Sequence, residues 1–202
     1  MGRRAVDIVL LPTEAMMDRA IEVNAELVKK FGKKIVLNKE NCLPHISLAM
    51  GCVDEKDIAD VEKVLKRIAE QCPLGDLSVI GIRVGANLAG EKVSVFEVEK
   101  TKSLQLFHEE VMQKLAPYFS YDVTSDTIYA GAEVEESTLL WIKNYPEKSS
   151  FSNFLPHITI GYGEMNNFSF PIKFGVSKLA LCHLGNHCTC RGIILSIKLK
   201  RV

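Results

Sequence analysis

Long hydrophobic runs are missing from this sequence. The longest, such as Ile8 to Leu11 and Gly192 to Leu195, are far too short to cross a bilayer, which argues against a helical membrane protein. An excess of one charge is missing too. Lys+Arg 25 balance Asp+Glu 25, so no global field draws the chain to nucleic acid or anionic lipid. No signal-peptide-like segment stands at Met1 to Ala5, and the expected location is cytoplasmic. No low-complexity tract or Ser/Gly linker divides the 202 residues, which predicts a single domain over 1–202, built of two lobes. Gly81, Gly85 and Gly90 are followed by no Gly-Lys-Ser/Thr, so a P-loop is lacking and ATP-dependent chemistry has no support.

Six cysteines are present, Cys42, Cys52, Cys72, Cys182, Cys188 and Cys190. Without an export signal they are expected to be thiols. The segment Cys182 to Cys190, with His183 and His187, has metal-ligand residue types but no Cys-x-x-Cys pair. A hairpin tip that holds no ion is the favoured account, and no metal is expected.

Val6 to Leu11 reads as a strand closed by Pro12, and Thr13 begins a helix running to Phe31. The inward stripe of that helix is expected at Met17, Ile21, Asn24, Val28 and Phe31. Strands are predicted at Ile35 to Leu37 and Leu43 to Met50. A second helix opens at Asp54, with its stripe at Ile58, Val61, Leu65 and Ile68. Leu77 to Val84 and Lys92 to Val98 alternate as strands. A third helix covers Thr101 to Leu115. Later strands are predicted at Thr138 to Ile142, Leu155 to Tyr162, Ser177 to His183 and Gly192 to Leu199. The fold class is α+β, mostly antiparallel sheet with flanking helices.

One stretch occurs twice. Asn41 to Gly51 (NCLPHISLAMG) returns as Asn153 to Gly163 (NFLPHITIGYG), with Asn, Leu, Pro, His, Ile and the last Gly unchanged. In a strand, residues i and i+2 share a face, so His45 lies with Ser47 and His157 with Thr159. Two lobes related by a pseudo-two-fold axis would bring two imidazoles and two hydroxyls into one central cleft. Histidine titrates near neutrality, so one ring serves as base and the other as acid, while the hydroxyls donate to phosphoryl oxygens. That equipment suits opening a phosphate ester without a metal or cofactor.

The two His-x-Ser/Thr copies, each preceded by Pro and followed by an apolar residue, are similar to the defining motifs of the two-histidine (2H) phosphoesterases. The resemblance implies a bilobal α+β fold with a central cleft. It also implies action on nucleotide or RNA-end phosphodiesters, including 2′,3′-cyclic phosphates, with 2′-5′ RNA ligation as a related branch. His45 and His157 would be catalytic and Ser47 and Thr159 would hold the phosphate. A nucleotide-binding module with little turnover, a 3′-exonuclease and a protein scaffold are the alternatives. The histidines are 112 positions apart, and the added length is expected as a loop or extra strands between Ser120 and Ser152. After the second motif comes Ile160-Gly161-Tyr162, where many RNA-end-processing members carry a basic residue. Tyr162 faces away from Thr159 in a regular strand and would stack on a base only if Gly161 and Gly163 bend the chain. His108 is expected to pack in its helix, and His183 and His187 to decorate a hairpin tip.

Overall fold

A computed structural model describes residues 2–32, 34–86, 90–129, 133–165 and 168–200. Two four-stranded antiparallel sheets form its frame, in the orders β2-β1-β7-β8 and β5-β4-β3-β6. The strands are β1 (Arg3–Pro12), β2 (Ile46–Asp54), β3 (Leu77–Ala86), β4 (Lys92–Val98), β5 (His157–Tyr162), β6 (Ile172–Phe174), β7 (Val176–Leu184) and β8 (Cys190–Lys198). The helices are α1 (Glu14–Phe31), α2 (Ile58–Gln71), α3 (Lys102–Leu115) and α4 (Glu136–Lys148). The expected bilobal α+β arrangement is the one observed.

Each motif strand is the edge of its sheet, and the edges β2 and β5 lie against each other. The helices cross over. α1, which follows a strand of the first sheet, packs on β5 of the second, while α3 and α4 pack on β2 of the first. Their apolar faces therefore bury the motif strands from behind: Ile46 and Leu48 on one side, Ile158 and Ile160 on the other, are fully buried.

Several elements differ from expectation. Thr138 to Ile142 lies in α4, not in a strand. Its β-rich letters concealed a helical stripe, since Thr138, Ile142 and Tyr145 are the buried residues. The added length expected between Ser120 and Ser152 is thus taken up, among the described residues, by this fourth helix and short 3-10 turns rather than by added strands. Ile35 to Leu37 pairs with no strand among the described residues. The Asn24 side chain takes a strand's place, donating to the Ile35 carbonyl (3.0 Å) and accepting from the Leu37 amide (2.8 Å). The buried stripe of α1 is Met16, Met17, Ala20, Val23, Asn24 and Leu27, rotated from the one predicted. Phe31 is half exposed and covers the backbone at Gly163. The short strand β6 had no period long enough to see. Cys182 and Cys190 are disulfide-bonded, contrary to the expectation of six thiols; they face each other across β7 and β8, with Cα atoms 5.6 Å apart. No described helix is long and apolar enough to cross a membrane.

Candidate active site

Both histidines stand at the foot of their strands and are anchored alike. His45 Nδ1 lies 2.7 Å from the Leu43 carbonyl, and His157 Nδ1 lies 2.7 Å from the Leu155 carbonyl. A carbonyl only accepts, so each Nδ1 carries the hydrogen and each Nε2 is left as the working nitrogen. The preceding prolines, Pro44 and Pro156, lie inside this two-residue reach.

The duplication extends to a defect in the ladder. β1 pairs Ile8 with Ala49 and Val9 with Ser47, skipping Leu48. β4 pairs Ser94 with Gly161 and Val95 with Thr159, skipping Ile160. A bulge thus falls one residue after the hydroxyl in each copy. An extra residue shifts the alternation by one. Tyr162 therefore comes round to the side of His157 and Thr159, as Met50 does to that of Ser47. Gly161 permits the bend with φ +133°, and Asn24 holds the bulged Ile160 carbonyl at 2.9 Å.

The two copies meet. His45 and Thr159 line one crevice of about 20 Å³, with Leu43, His187, Cys188 and Thr189 around them. That volume admits a water-sized group. His157 is near enough that its charge opposes protonation of His45. Burial holds His45 down, to about 4, and lowers His157 as well, because each ring is only partly open to the water that would share a positive charge.

Ser47 does not stand alone. Its Oγ is hydrogen-bonded to Asp7 Oδ2 at 2.6 Å, with the donor set by whether Asp7 carries a proton, and Asp7 is fully buried in the middle of the first sheet. His45 Nε2 is 3.6 Å from the same Asp7 oxygen. That spacing suggests an ion pair, but burial raises Asp7 well above the ordinary carboxylate range and lowers His45. The desolvation of both argues for two neutral groups.

Arg83 is a residue the motifs did not reveal. On the second sheet Arg83 pairs with Val95, and Val95 with Thr159, so all three point to one side. Its buried Nε has no hydrogen-bond partner among the described residues, and its charge bears on His157. The signal in the sequence was a lone arginine inside the apolar run Leu77 to Val84.

His187 lies in the β7–β8 hairpin turn, as expected, and His183 stands just before it in β7, but the turn is folded inward. His183 Nε2 donates to the Thr127 carbonyl at 2.9 Å, and His187 folds over the crevice with Nδ1 3.2 Å from the Tyr162 hydroxyl. The ring of Tyr162 is 9 % exposed, with Lys34 Nζ 5.1 Å above it and the His187 ring edge-on. A base could stack there only if Lys34 or His187 moved. His108 is packed as expected, stacked at 4.0 Å on Phe154. Among the described residues no group of three or more His, Cys, Asp or Glu is placed to hold a metal ion.

No protein-family model matches the chain, and no curated protein matches it. Solved structures do. E. coli LigT complexed with phosphate is 13 % identical, with a TM-score of 0.52 over 99 % of both chains. LigT complexed with 3′-AMP is 14 % identical, with a TM-score of 0.52 over 99 % of both chains. TT0787 of Thermus thermophilus is 12 % identical, with a TM-score of 0.54 over 96 % of this chain and 97 % of that one. The chain thus shares the fold of E. coli LigT and TT0787 over nearly its whole length, in line with the bilobal fold that the repeated motif led us to expect.

Proposed function

We propose that this protein is a two-histidine phosphodiesterase that opens 2′,3′-cyclic phosphates of nucleotides or RNA ends. The observation that supports it most is the shared crevice of His45 and Thr159, one from each copy, with both histidines presenting Nε2. The solved structures of LigT with phosphate and with 3′-AMP add a nucleotide-sized ligand on the same fold.

In this account water attacks phosphorus and passes its proton to His45 Nε2. The bond to one ribose oxygen breaks, and that oxygen takes a proton from His157 Nε2. His45 is assigned as base because it is the ring that burial holds most firmly neutral. His157 receives its proton when the anionic phosphate is bound, since a nearby negative charge favours imidazolium. Ser47, Thr159 and Arg83 hold the phosphoryl oxygens, where charge grows as the transition state forms. These side chains supply acid, base and charge between them, so the step calls on no metal or cofactor. Arg83 stands in for the basic residue missing beyond the second motif.

The test is incubation of the protein, in excess EDTA, with 2′,3′-cyclic mononucleotides and with oligonucleotides ending in a cyclic phosphate. A 2′- or 3′-phosphomonoester product is expected. Nucleotide affinity without product after long incubation would instead establish a binding module.

A further inference from the structure

Asp7 is the one polar residue in the buried stretch of β1. Its Oδ2 contacts Ser47, and its Oδ1, also buried, has no hydrogen-bond partner among the described residues. The matching register position in the second lobe does not carry an acid. Relative to the two bulges, Asp7 pairs with Met50 as Val93 pairs with Tyr162. The second lobe fills that slot with valine.

We propose that Asp7 is a positioning residue for the phosphate-binding hydroxyl, acting as a neutral carboxylic acid. With the proton on Oδ2, Asp7 donates to Ser47 Oγ, and the Ser47 O–H is free to donate to a phosphoryl oxygen. With the proton lost, the carboxylate takes the Ser47 O–H for itself. Only lone pairs then face the phosphate, beside a buried negative charge. One proton thus decides whether the first lobe attracts or repels the substrate. This rests on the phosphodiester reading above.

The surroundings favour the neutral form. Facing Asp7 are His45 and Ser47 from the foot of β2, Tyr145 from α4 and Cys188 from the β7–β8 connection. Cys182, its register partner on β7, is tied in the disulfide. None of these carries a fixed positive charge, and an orphaned oxygen costs far less on a neutral acid than on an anion.

The test uses an H157Q background, which removes the acid histidine's own titration, and 2′,3′-cyclic AMP, whose single charge is constant from about pH 5 to pH 9. Calorimetric Kd should rise about tenfold per pH unit once Asp7 ionises, as loss of one proton requires. In H157Q/D7N, whose amide is a permanent donor, Kd should stay flat. A D7V variant, which copies the second lobe, should melt no lower than wild type yet bind at least about tenfold more weakly. The Asp7 carboxyl carbon should resonate as the neutral acid at pH 7. An ionised Asp7 at pH 7, equal pH dependence with Asp and Asn, or unimpaired binding by D7V would each overturn the proposal. Failure of H157Q and wild type alike to bind the cyclic nucleotide would overturn the functional reading itself.

Discussion

His108 is fully buried, and both of its ring nitrogens are spent. Nδ1 donates to the Leu48 carbonyl in the first motif strand, and Nε2 accepts from the Phe151 amide at the approach to the second. One neutral ring therefore fixes the two copies against each other. Burial holds it at about 4, which keeps Nε2 available as an acceptor. Replacing it with Ala would strip partners from two backbone groups and remove the stack on Phe154. We expect a loss of about 2–4 kcal/mol in urea denaturation. Unchanged stability would show that these contacts are not made in solution. A histidine inside an apolar helical stripe could be recognised from the sequence, but its partners could not. They lie 60 and 43 positions away and depend on the fold. The same holds for Arg83 and Asp7. Each looked like a stray charge in a strand until the register showed what shared its side.

At the scale of elements, the paired bulges are what place the site. A strand pattern assumes strict alternation, and that assumption sent Tyr162 to the wrong side. The exception was marked only by Gly161, and its geometry is set by Asn24 on another element. Replacing Gly161 with Ala puts a Cβ 2.8 Å from Asn24 Nδ2 at a φ of +133°. Both the close approach and the backbone angle oppose it, so a cost of about 1–3 kcal/mol is expected. The accompanying loss of activity should exceed that of an equally destabilising change in α2, because the bulge also aims Thr159. Equal losses would mean that the bulge serves stability alone. The helices with a clean period were legible, as the stripe Val61, Leu65 and Ile68 of α2 shows. The strand-like letters of α4 were not, because only its length and its packing on β2 distinguish it.

For the whole molecule, the crossed packing of α1 on one sheet and of α3 and α4 on the other leads us to propose one cooperative unit. A single thermal transition, with the same midpoint by fluorescence and circular dichroism, is the expected result; two separated transitions would divide the lobes. Its pH dependence follows from the histidines. His45 and His108 are held at about 4, and His157, His183 and His187 are also lowered, in every case chiefly by burial. The unfolded chain therefore binds more protons than the folded one between about pH 4 and pH 6.5, and stability rises with pH across that window. It is fully present above the window and is lost as pH falls through it. Asp54 and Glu55, held low by Arg3 and Arg4, act in the same sense as the pH falls further. Asp7 opposes them, since a raised carboxyl loses its contribution as pH rises. Unfolding free energies from urea titrations at about pH 7 and pH 4.5 should differ by a few kcal/mol, and a flat profile would contradict the burial of the rings.

The central claim is that two copies of one motif form one catalytic centre. Residues acting as a unit are strongly non-additive. The direct measurement is kcat/KM on a 2′,3′-cyclic nucleotide for H45A, H157A and the double variant. Each single change is expected to cost about 10²–10⁴-fold, and the double little more than the worse single. Losses below about threefold in each single variant, or a double loss equal to the product of the two, would contradict a shared centre.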